Sequence, residues 1–569
     1  MVYPYEVNVQ NQKIGLEIYQ SLLGVRPEIA LVNEMAFSDS VVDLLAEVGY
    51  SAFIMDRDNV RLALKLENAL PSQIPALARG IDSIELPVLW ADSILFQKLQ
   101  HISHGNISMD DYVGFIKARM AKGDVLFPLY SNDAETFDFR PGRFKEESQE
   151  NASGEWEIIR KVMENLNIEL GFEYVLPSVA LGIQHDSAAQ KAKAFTSAEY
   201  PIPVKKQPKY NIARWAVTGR DDTWLNTMCF RIYNKLTNTV DVDSASWKNL
   251  CELWASDLRT HLTDQRWLDC KTKVADTLSD LNLPNRFGLE QEQFQIIVDS
   301  SDLLAKTGIN YQIFGDGVYL ALETATTKLI INLRRGMVID SLCFKSHGGG
   351  SCIGTVKHGY LDSITQGVDY YSGGVVIESP VSQFKVTDLH PVTPTYLLSK
   401  NGDLTLKAEI VTSVGKITKY IRLSSSLEQI KISYQVSEII RTVSSVKLGN
   451  FTMAPKFSRE FSSYSCKVGG AKERIFQVTN KINQSAPATS FVSSTRGFSA
   501  TSGQLVLDCS GKGLHLSWDP SECSPLCFID HDGEFTRLSF SVCEIDESSR
   551  ESESYGDFEV TLSSSMLAT

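Results

Sequence analysis

Two acidic positions in the sequence follow short apolar runs, and their placement suggests chemistry by paired carboxylates. Glu34 comes two residues after the run at 29–32, and Asp133 and Glu135 come just after the run at 125–130. In α/β folds, reacting groups are presented at the carboxyl ends of buried parallel strands. Two acids held there on different strands are the minimum equipment for cleaving a glycosidic bond.

Each acid also has an ordinary interpretation. An Asp or Glu after a strand is often only a helix cap or a solvated loop residue, and this is the better interpretation of Glu34 taken alone. The two acids together, each in a longer matching context, reverse that balance. Glu135 is expected to assist by hydrogen bonding or ion pairing at the substrate, whereas Asp56 and Asp92 are expected to be structural or substrate-orienting.

The elements that must position these acids form a strand-helix-strand pattern. After Glu34, Ser38 or Asp39 can cap a helix whose apolar positions between 41 and 48 follow the 3.6-residue period, and Gly49 ends it. A buried strand follows at 51–55. Two neighbouring parallel strands require a crossover of this kind.

The pattern continues toward the second acid. A third strand is predicted at 86–90, and a helix from Met109 to Ala121 is capped by Ser108 and ended by Gly123. That helix leads into the apolar run at 125–130, which is predicted to be the strand that presents Asp133.

At these residues the chain resembles glycoside hydrolase family 57. Three segments carry the resemblance: Asn-Glu-Met-Ala-Phe-Ser at 33–38 with Gly49-Tyr50 and Asp56, Asp-Ala-Glu-Thr-Phe at 133–137 with Pro141-Gly142, and Leu-Trp-Ala-Ser-Asp at 253–257. The resemblance implies a retaining enzyme acting on an α-glucan, with Glu34 as nucleophile, Asp133 as general acid/base and Asp257 near the substrate. Polysaccharide or oligosaccharide is the implied partner, and hydrolysis and transfer to another sugar both stay open.

The sequence departs from the family pattern at its beginning. Only 33 residues precede Glu34, and they contain no His. Residues 3–9 can supply at most one short strand, and residues 13–23 are predicted to be a helix. The expected fold is therefore a partial or incomplete (β/α)7-type barrel without its first strands. The alternative function is a catalytically inactive carbohydrate-binding or structural relative.

Composition narrows the class of protein. A hydrophobic content of 43% in 569 residues supports sizeable cores, and a formal net charge of −14 disfavours nucleic acid and anionic membranes as partners. No apolar run approaches the length of a membrane helix, and no secretory signal is visible, so a cytoplasmic location is expected. The ten Cys and nine His are dispersed, so no metal site and no cofactor is predicted.

The residue pattern along the chain changes twice, from mixed α/β to helical and then to all-β, which predicts three domains. Residues 1–205 are expected to form the barrel-type domain, residues 206–285 a helical subdomain, and residues 286–569 a large β-sandwich. Five Trp residues lie in the helical segment, most of them expected in its core. Trp215 and Trp224 are predicted to contact sugar, because pyranose faces are apolar. The oligomeric state is left open.

Overall fold

The structure, a computed structural model, describes most of the chain. The described residues are 2–32, 36–65, 74–131, 136–138, 154–183, 192–204, 211–259, 262–285, 295–297, 307–356, 367–379, 384–437, 444–494, 496–550 and 557–566. They divide into two compact units. The N-terminal unit comprises Leu16–Thr196 and Pro203–Lys206, and the C-terminal unit comprises Met1–Gly15, Ser197–Ile202 and Gln207–Thr569. The predicted division into three domains remains a prediction.

The helices, numbered in chain order, are α1 Tyr5–Leu23, α2 Ser40–Val48, α3 Arg57–Ala63, α4 Ser93–Ser103, α5 Met109–Met120, α6 Glu155–Leu170, α7 Pro177–Ala180, α8 Ala213–Ala216, α9 Asp222–Thr237, α10 Ser244–Leu253, α11 Asp264–Asp280 and α12 Pro455–Glu460.

The strands are β1 Ile29–Leu31, β2 Ala52–Asp56, β3 Ala76–Arg79, β4 Glu85–Ala91, β5 Gln295–Ile297, β6 Asn310–Phe314, β7 Tyr319–Glu323, β8 Thr327–Asn332, β9 Val338–Phe344, β10 Ser351–Gly354, β11 Gly374–Ser379, β12 Phe384–Thr387, β13 Thr395–Leu398, β14 Leu404–Thr412, β15 Gly415–Leu423, β16 Gln429–Ser437, β17 Ser445–Thr452, β18 Phe461–Cys466, β19 Arg474–Gln477, β20 Ile482–Asn483, β21 Gln504–Cys509, β22 Lys512–Ser517, β23 Leu526–His531, β24 Thr536–Cys543 and β25 Phe558–Met566.

The N-terminal unit contains a four-stranded sheet in the order β1-β2-β4-β3. Strands β1, β2 and β4 are parallel, and β3 is antiparallel to β4. The predicted strand-helix-strand unit is confirmed by β1, α2 and β2, and Gly49 ends α2 in the left-handed conformation at φ 97°. Among the described residues this sheet is open. The mixed α/β class is therefore confirmed, while the incomplete barrel remains a prediction.

The strand predicted at 125–130 was wrong, and residues 3–9, which could have supplied at most one short strand, supply none. The run at 125–130 is irregular, because Pro128 has no N–H for a ladder and the Leu129 N–H donates to the Phe127 carbonyl at 2.9 Å. Residues 5–9 open helix α1 instead of forming a strand. Val7 belongs to the buried helical core of the C-terminal unit, and the Tyr3 ring lies 5.5 Å from that of Trp254. This four-residue spacing favours a helix.

Among its described residues, the β-part of the C-terminal unit has three sheets, of five, six and ten strands. The six-stranded sheet, ordered β12-β11-β17-β24-β23-β20, packs against the ten-stranded sheet: Phe540 of β24 lies 5.0 Å from Phe558 of β25 between ring centroids. The predicted all-β character is confirmed, and the face-to-face pair corresponds to the expected sandwich. No helix among the described residues is long and apolar enough to cross a membrane.

Candidate active site at the carboxyl edge of the parallel sheet

The parallel strands of the N-terminal unit end at one edge. Leu31 pairs with Ile54, and Asp56 pairs with Ala91, so β1, β2 and β4 point their carboxyl ends the same way. We refer to this edge, formed by residues 31–32, 56–58 and 91–93, as the carboxyl edge. In open parallel sheets this is the edge at which ligands bind.

The residues before the first candidate acid are fixed at the carboxyl edge. The Val32 N–H donates to the Ile54 carbonyl at 3.0 Å, which extends the β1–β2 ladder by one residue. Val32 is buried, and so is Phe37, whose ring stacks on that of Phe53 at 5.8 Å. The chain on both sides of residues 33–35 is therefore anchored to β2.

The residues around the second candidate acid are anchored to α4. Tyr130 and Phe137 flank residues 132–135, and their rings lie 5.3 Å and 6.1 Å from that of Phe96. Phe96 is in the first turn of α4, which begins directly after β4 at the carboxyl edge. Both ends of the segment that carries Asp133 are thus held close to this edge.

An additional contact fixes the far side of that segment. Asp138 accepts hydrogen bonds from the N–H groups of Glu155 at 2.7 Å and Trp156 at 3.0 Å, at the beginning of α6. The Asp138 N–H in turn donates to the Glu155 carboxylate at 2.6 Å. This reciprocal pairing works like a capping box between distant residues and satisfies donors that the helix leaves open.

Asp92 is a structural acid. Its carboxylate caps α4 by accepting from the N–H groups of Ile94 and Leu95, and it forms ion pairs with Arg57 at 2.5 Å and Arg119 at 3.0 Å. Burial alone would raise the pKa of Asp92, but the two guanidinium groups and the helix N–H groups outweigh burial and lower the pKa below its ordinary value. Asp92 therefore stays ionised, and its negative charge is balanced by the two guanidinium groups.

The pKa of Asp56 is shifted in the opposite direction to that of Asp92. It ends β2 and is almost wholly buried, and burial raises the pKa of its carboxyl group despite hydrogen bonds donated by the Ser93 hydroxyl and the Asp58 N–H. The carboxyl edge thus carries two acids whose pKa values are displaced in opposite directions. Such an environment can separate the roles of neighbouring carboxylates.

Glu34, Asp133 and Glu135 themselves lie outside the described residues, so their roles stay predictions. The structure shows only the flanking segments, and both belong to the N-terminal unit.

Trp215 and Trp224 belong to the C-terminal unit. Trp215 is buried, and its carbonyl accepts from the Asn226 side chain at 3.1 Å. Trp224 is half-buried and packs edge to face on Trp267 at 5.8 Å. The Trp224 ring thus makes a helix-packing contact, and the predicted sugar contacts of both residues remain predictions.

Asp257 is exposed in a 3₁₀ turn, Ser256–Leu258. The neighbouring Arg259 is buried and donates to the side-chain amide oxygen of Asn226 and to the backbone carbonyls of Leu253 and Ala255. The substrate role of Asp257 remains a prediction. Sequence reasoning missed Asp222, which begins α9 and is almost wholly buried in the same region; its signal was the doubled acid at 221–222.

Groups of His, Cys, Asp and Glu that could hold a metal ion do not occur among the described residues. All ten Cys are free thiols, seven of them buried and three half-buried.

Comparison with known proteins identifies the fold. No protein-family model matches the chain, and no curated protein matches it in sequence. Among solved structures, it is similar to an α-mannosidase from Enterococcus faecalis V583, with 9% identity, a TM-score of 0.55, and coverage of 99% of this chain and 77% of that one. It is also similar to a protein in glycosyl hydrolase family 38 from Enterococcus faecalis, with 8% identity, a TM-score of 0.52, and coverage of 99% and 75%. The chain therefore has a fold found in glycoside hydrolases.

Proposed function

We propose that this protein is a retaining glycosidase or transglycosylase that acts on an α-glucan, with Glu34 as nucleophile and Asp133 as general acid/base. The observation that carries the proposal is that the flanks of both acids are anchored at one edge of a parallel sheet. Val32 pairs with Ile54 on one side, and Tyr130 and Phe137 pack on Phe96 on the other. The glycoside hydrolase fold supports the same class of reaction.

The spacing of the strands suits this chemistry. Strands β1 and β4 are separated by β2 alone, which puts their ends roughly 10 Å apart. Retaining enzymes need their two carboxyl groups about 5–5.5 Å apart, so the proposal requires Glu34 and Asp133 to reach toward each other across the end of β2.

The proposed reaction has two steps. The Glu34 carboxylate attacks the anomeric carbon while Asp133 gives its proton to the leaving oxygen, so the glycosidic bond breaks and an ester to Glu34 forms. Asp133 then takes a proton from water or a sugar hydroxyl, which attacks the anomeric carbon and releases Glu34. The acceptor decides between hydrolysis and transfer. A nearby ionised Glu34 would keep the pKa of Asp133 high enough for the first step.

The test is covalent trapping combined with product analysis. The purified chain is incubated with 5-fluoro-α-glucosyl fluoride and digested, and we expect the peptide that contains Glu34 to gain the mass of one fluoroglucosyl group. With maltooligosaccharides and amylose, Glu34→Gln should abolish turnover, and Asp133→Asn should lower it by about 10²–10⁴-fold.

Matched controls are available on the same elements. Glu28 precedes β1 and is exposed, and Asp110 is exposed in α5, so Glu28→Gln and Asp110→Asn should leave turnover unchanged. Turnover that survives Glu34→Gln, or a label on another peptide, would refute the assignment.

One observation favours the second candidate, a carbohydrate-binding relative without catalysis. Strand β1 has three residues and forms an edge of the four-stranded sheet, and Leu31 is 49% exposed. An open edge beside the nucleophile would leave the sugar site incomplete. Binding of maltooligosaccharides with no product and no trapped ester would support this candidate over the first.

A further inference from the structure

A cleft of about 710 Å³ lies in the C-terminal unit, on the six-stranded sheet. This volume is within the range of about 300–1,000 Å³ that is typical of small-molecule sites. The face that lines it is the one turned away from the sandwich interior: Arg537 lines the cleft, whereas Phe540, on the other face of β24, packs on Phe558. We call this space the β-cleft.

The floor of the β-cleft is a row of charged cross-strand pairs. Arg537 pairs in register with Asp530, and Lys385 pairs with Glu378. The Arg537 guanidinium donates to Asp530 at 2.9 Å and to Asp369, and Lys385 forms an ion pair with Glu378 at 3.4 Å. Both positive groups are therefore neutralised by carboxylates within the cleft itself.

Among the acids of the floor, Asp530 is held in its ionised form by its hydrogen-bond partners. Burial alone would raise the pKa of Asp530, but Arg537 and the Ser485 hydroxyl and N–H outweigh burial and lower it. The cleft consequently offers fixed hydrogen-bond acceptors next to fixed donors.

One buried donor in the β-cleft lacks a hydrogen-bond partner within the part of the chain that the structure describes. Asn450 is 4% exposed and lines the cleft, and its Nδ2 group has no hydrogen-bond partner among the described residues. A buried amide group left without a hydrogen bond destabilises the folded state. Its retention beside a cleft is explained if a ligand accepts its hydrogen bond.

Two lysines, an aromatic ring and hydroxyl groups also line the β-cleft. Lys447 stands opposite Val376 with its Nζ 5.7 Å from the Phe528 ring centre, and Lys481 is exposed at the rim. Phe384 adds a half-exposed aromatic ring, and Ser485 and Thr489 add hydroxyl groups.

We infer that the β-cleft is a binding site for a neutral oligosaccharide. A sugar hydroxyl both donates and accepts, so it fits a floor on which carboxylates alternate with guanidinium, ammonium and amide groups. A polyanion would use only the donors and would be repelled by Asp369, Glu378 and Asp530. Phe384 can stack against the apolar face of a pyranose ring.

The test measures binding to the full chain by calorimetry. Maltotetraose, cellotetraose and mannotetraose are titrated into the Glu34→Gln protein, which prevents turnover, and pyrophosphate is the anionic probe. We expect at least one oligosaccharide to bind and pyrophosphate not to bind. Asn450→Leu should weaken that binding by about tenfold or more, since a buried hydrogen bond is lost, and Lys447→Gln should also weaken it.

Asn450→Leu also has a stability readout. Because it replaces an unpaired buried amide by an apolar group of similar size, the variant should unfold at an equal or higher urea concentration than the parent. Asn310→Leu, on an exposed strand of the five-stranded sheet, is the matched control and should bind as the parent does.

Three outcomes would overturn the inference. They are failure of all three oligosaccharides to bind, binding of pyrophosphate in their place, and oligosaccharide binding that Asn450→Leu leaves unchanged. The last outcome would place the sugar elsewhere and leave the proposed chemistry of Glu34 untouched. Conversely, binding that depends on Asn450 would stand even if trapping at Glu34 failed.

Discussion

Arg57 donates a hydrogen bond to Asp92 at 2.5 Å, and both side chains are almost fully buried. Arg57 follows β2, and Asp92 follows β4, so this ion pair ties together the ends of two neighbouring parallel strands. Arg119 of α5 reaches the same carboxylate at 3.0 Å. Arg119 also pairs with Asp124, so the carboxyl edge is held by a buried ionic network of at least four residues.

Removal of Arg57 should destabilise the protein. Arg57→Met takes one of two guanidinium groups from a buried carboxylate, and breaking a buried pair in this way costs roughly 3 kcal/mol. Urea unfolding followed by fluorescence measures the change. Arg160→Met, which removes an exposed pair with Glu157, is the control and should have no measurable effect. Equal midpoints for both variants would show that the network contributes nothing.

Gly336 should not tolerate a side chain. Its φ is +63°, and a Cβ would lie 1.9 Å from the Asp388 carbonyl oxygen, beside the buried ion pair between Asp388 and Lys419. Gly336→Ala should therefore prevent folding or lower the melting temperature sharply. Gly348 has a similar φ of +79° with open space around it, so Gly348→Ala should cost only about 1–2 kcal/mol. Similar soluble yields and melting temperatures for the two variants would contradict this prediction.

The buried Asp222 should make stability depend on pH. Burial raises the pKa of its carboxyl group well above the ordinary 3.8, and Arg259 opposes this only in part. The folded state then holds the proton more tightly than the unfolded state, so Asp222 lowers stability as pH rises from 3.8 through its folded pKa.

The difference between two proteins isolates this effect. Urea midpoints of the parent and Asp222→Asn, measured from about pH 4 to pH 8, should diverge, with the parent losing stability relative to the variant as pH rises. Asp110→Asn should run parallel to the parent, since Asp110 is exposed. Parallel curves for Asp222→Asn would exclude the predicted linkage.

The thiols should react slowly in the native protein. Burial raises the pKa of Cys251 to about 11 and that of Cys229 to about 12, so few thiolates form at neutral pH. Titration with Ellman's reagent should detect ten thiols in denaturant and at most three slowly reacting ones, at the half-buried positions, without it. A rapidly reacting native thiol would argue against this picture.

Local sequence patterns predicted the elements around the carboxyl edge well. Ser108 accepts from the Asp111 N–H at 3.1 Å and forms the capping box that begins α5, and Gly49 ends α2. Strand β4 covers the run predicted at 86–90. Each of these caps and patterns lies within a few residues of the element that it specifies, so it can be recognised from the local sequence alone.

Longer-range packing overrode other patterns. The apolar run at 125–130 has the composition of a strand, but its side chains pack on α4 and α6, where Leu129 and Tyr130 join a buried cluster, and Pro128 provides no ladder donor. Apolar side chains can pack against helices as well as within a sheet. Whether such a run forms a strand therefore depends on where the neighbouring helices lie.

By itself, the sequence determined the mixed α/β and all-β classes and the strand-helix-strand unit before Asp56. Only the tertiary structure decided that the described parallel sheet stays open, that Asp92 is neutralised by Arg57 and Arg119, and that Asn450 shares a cleft with Arg537. The physical reason is that caps and periodicity act between near neighbours in the chain. Cross-strand pairs and ion pairs join residues that are far apart in the sequence. Strand register and packing bring such residues together only when the whole domain folds.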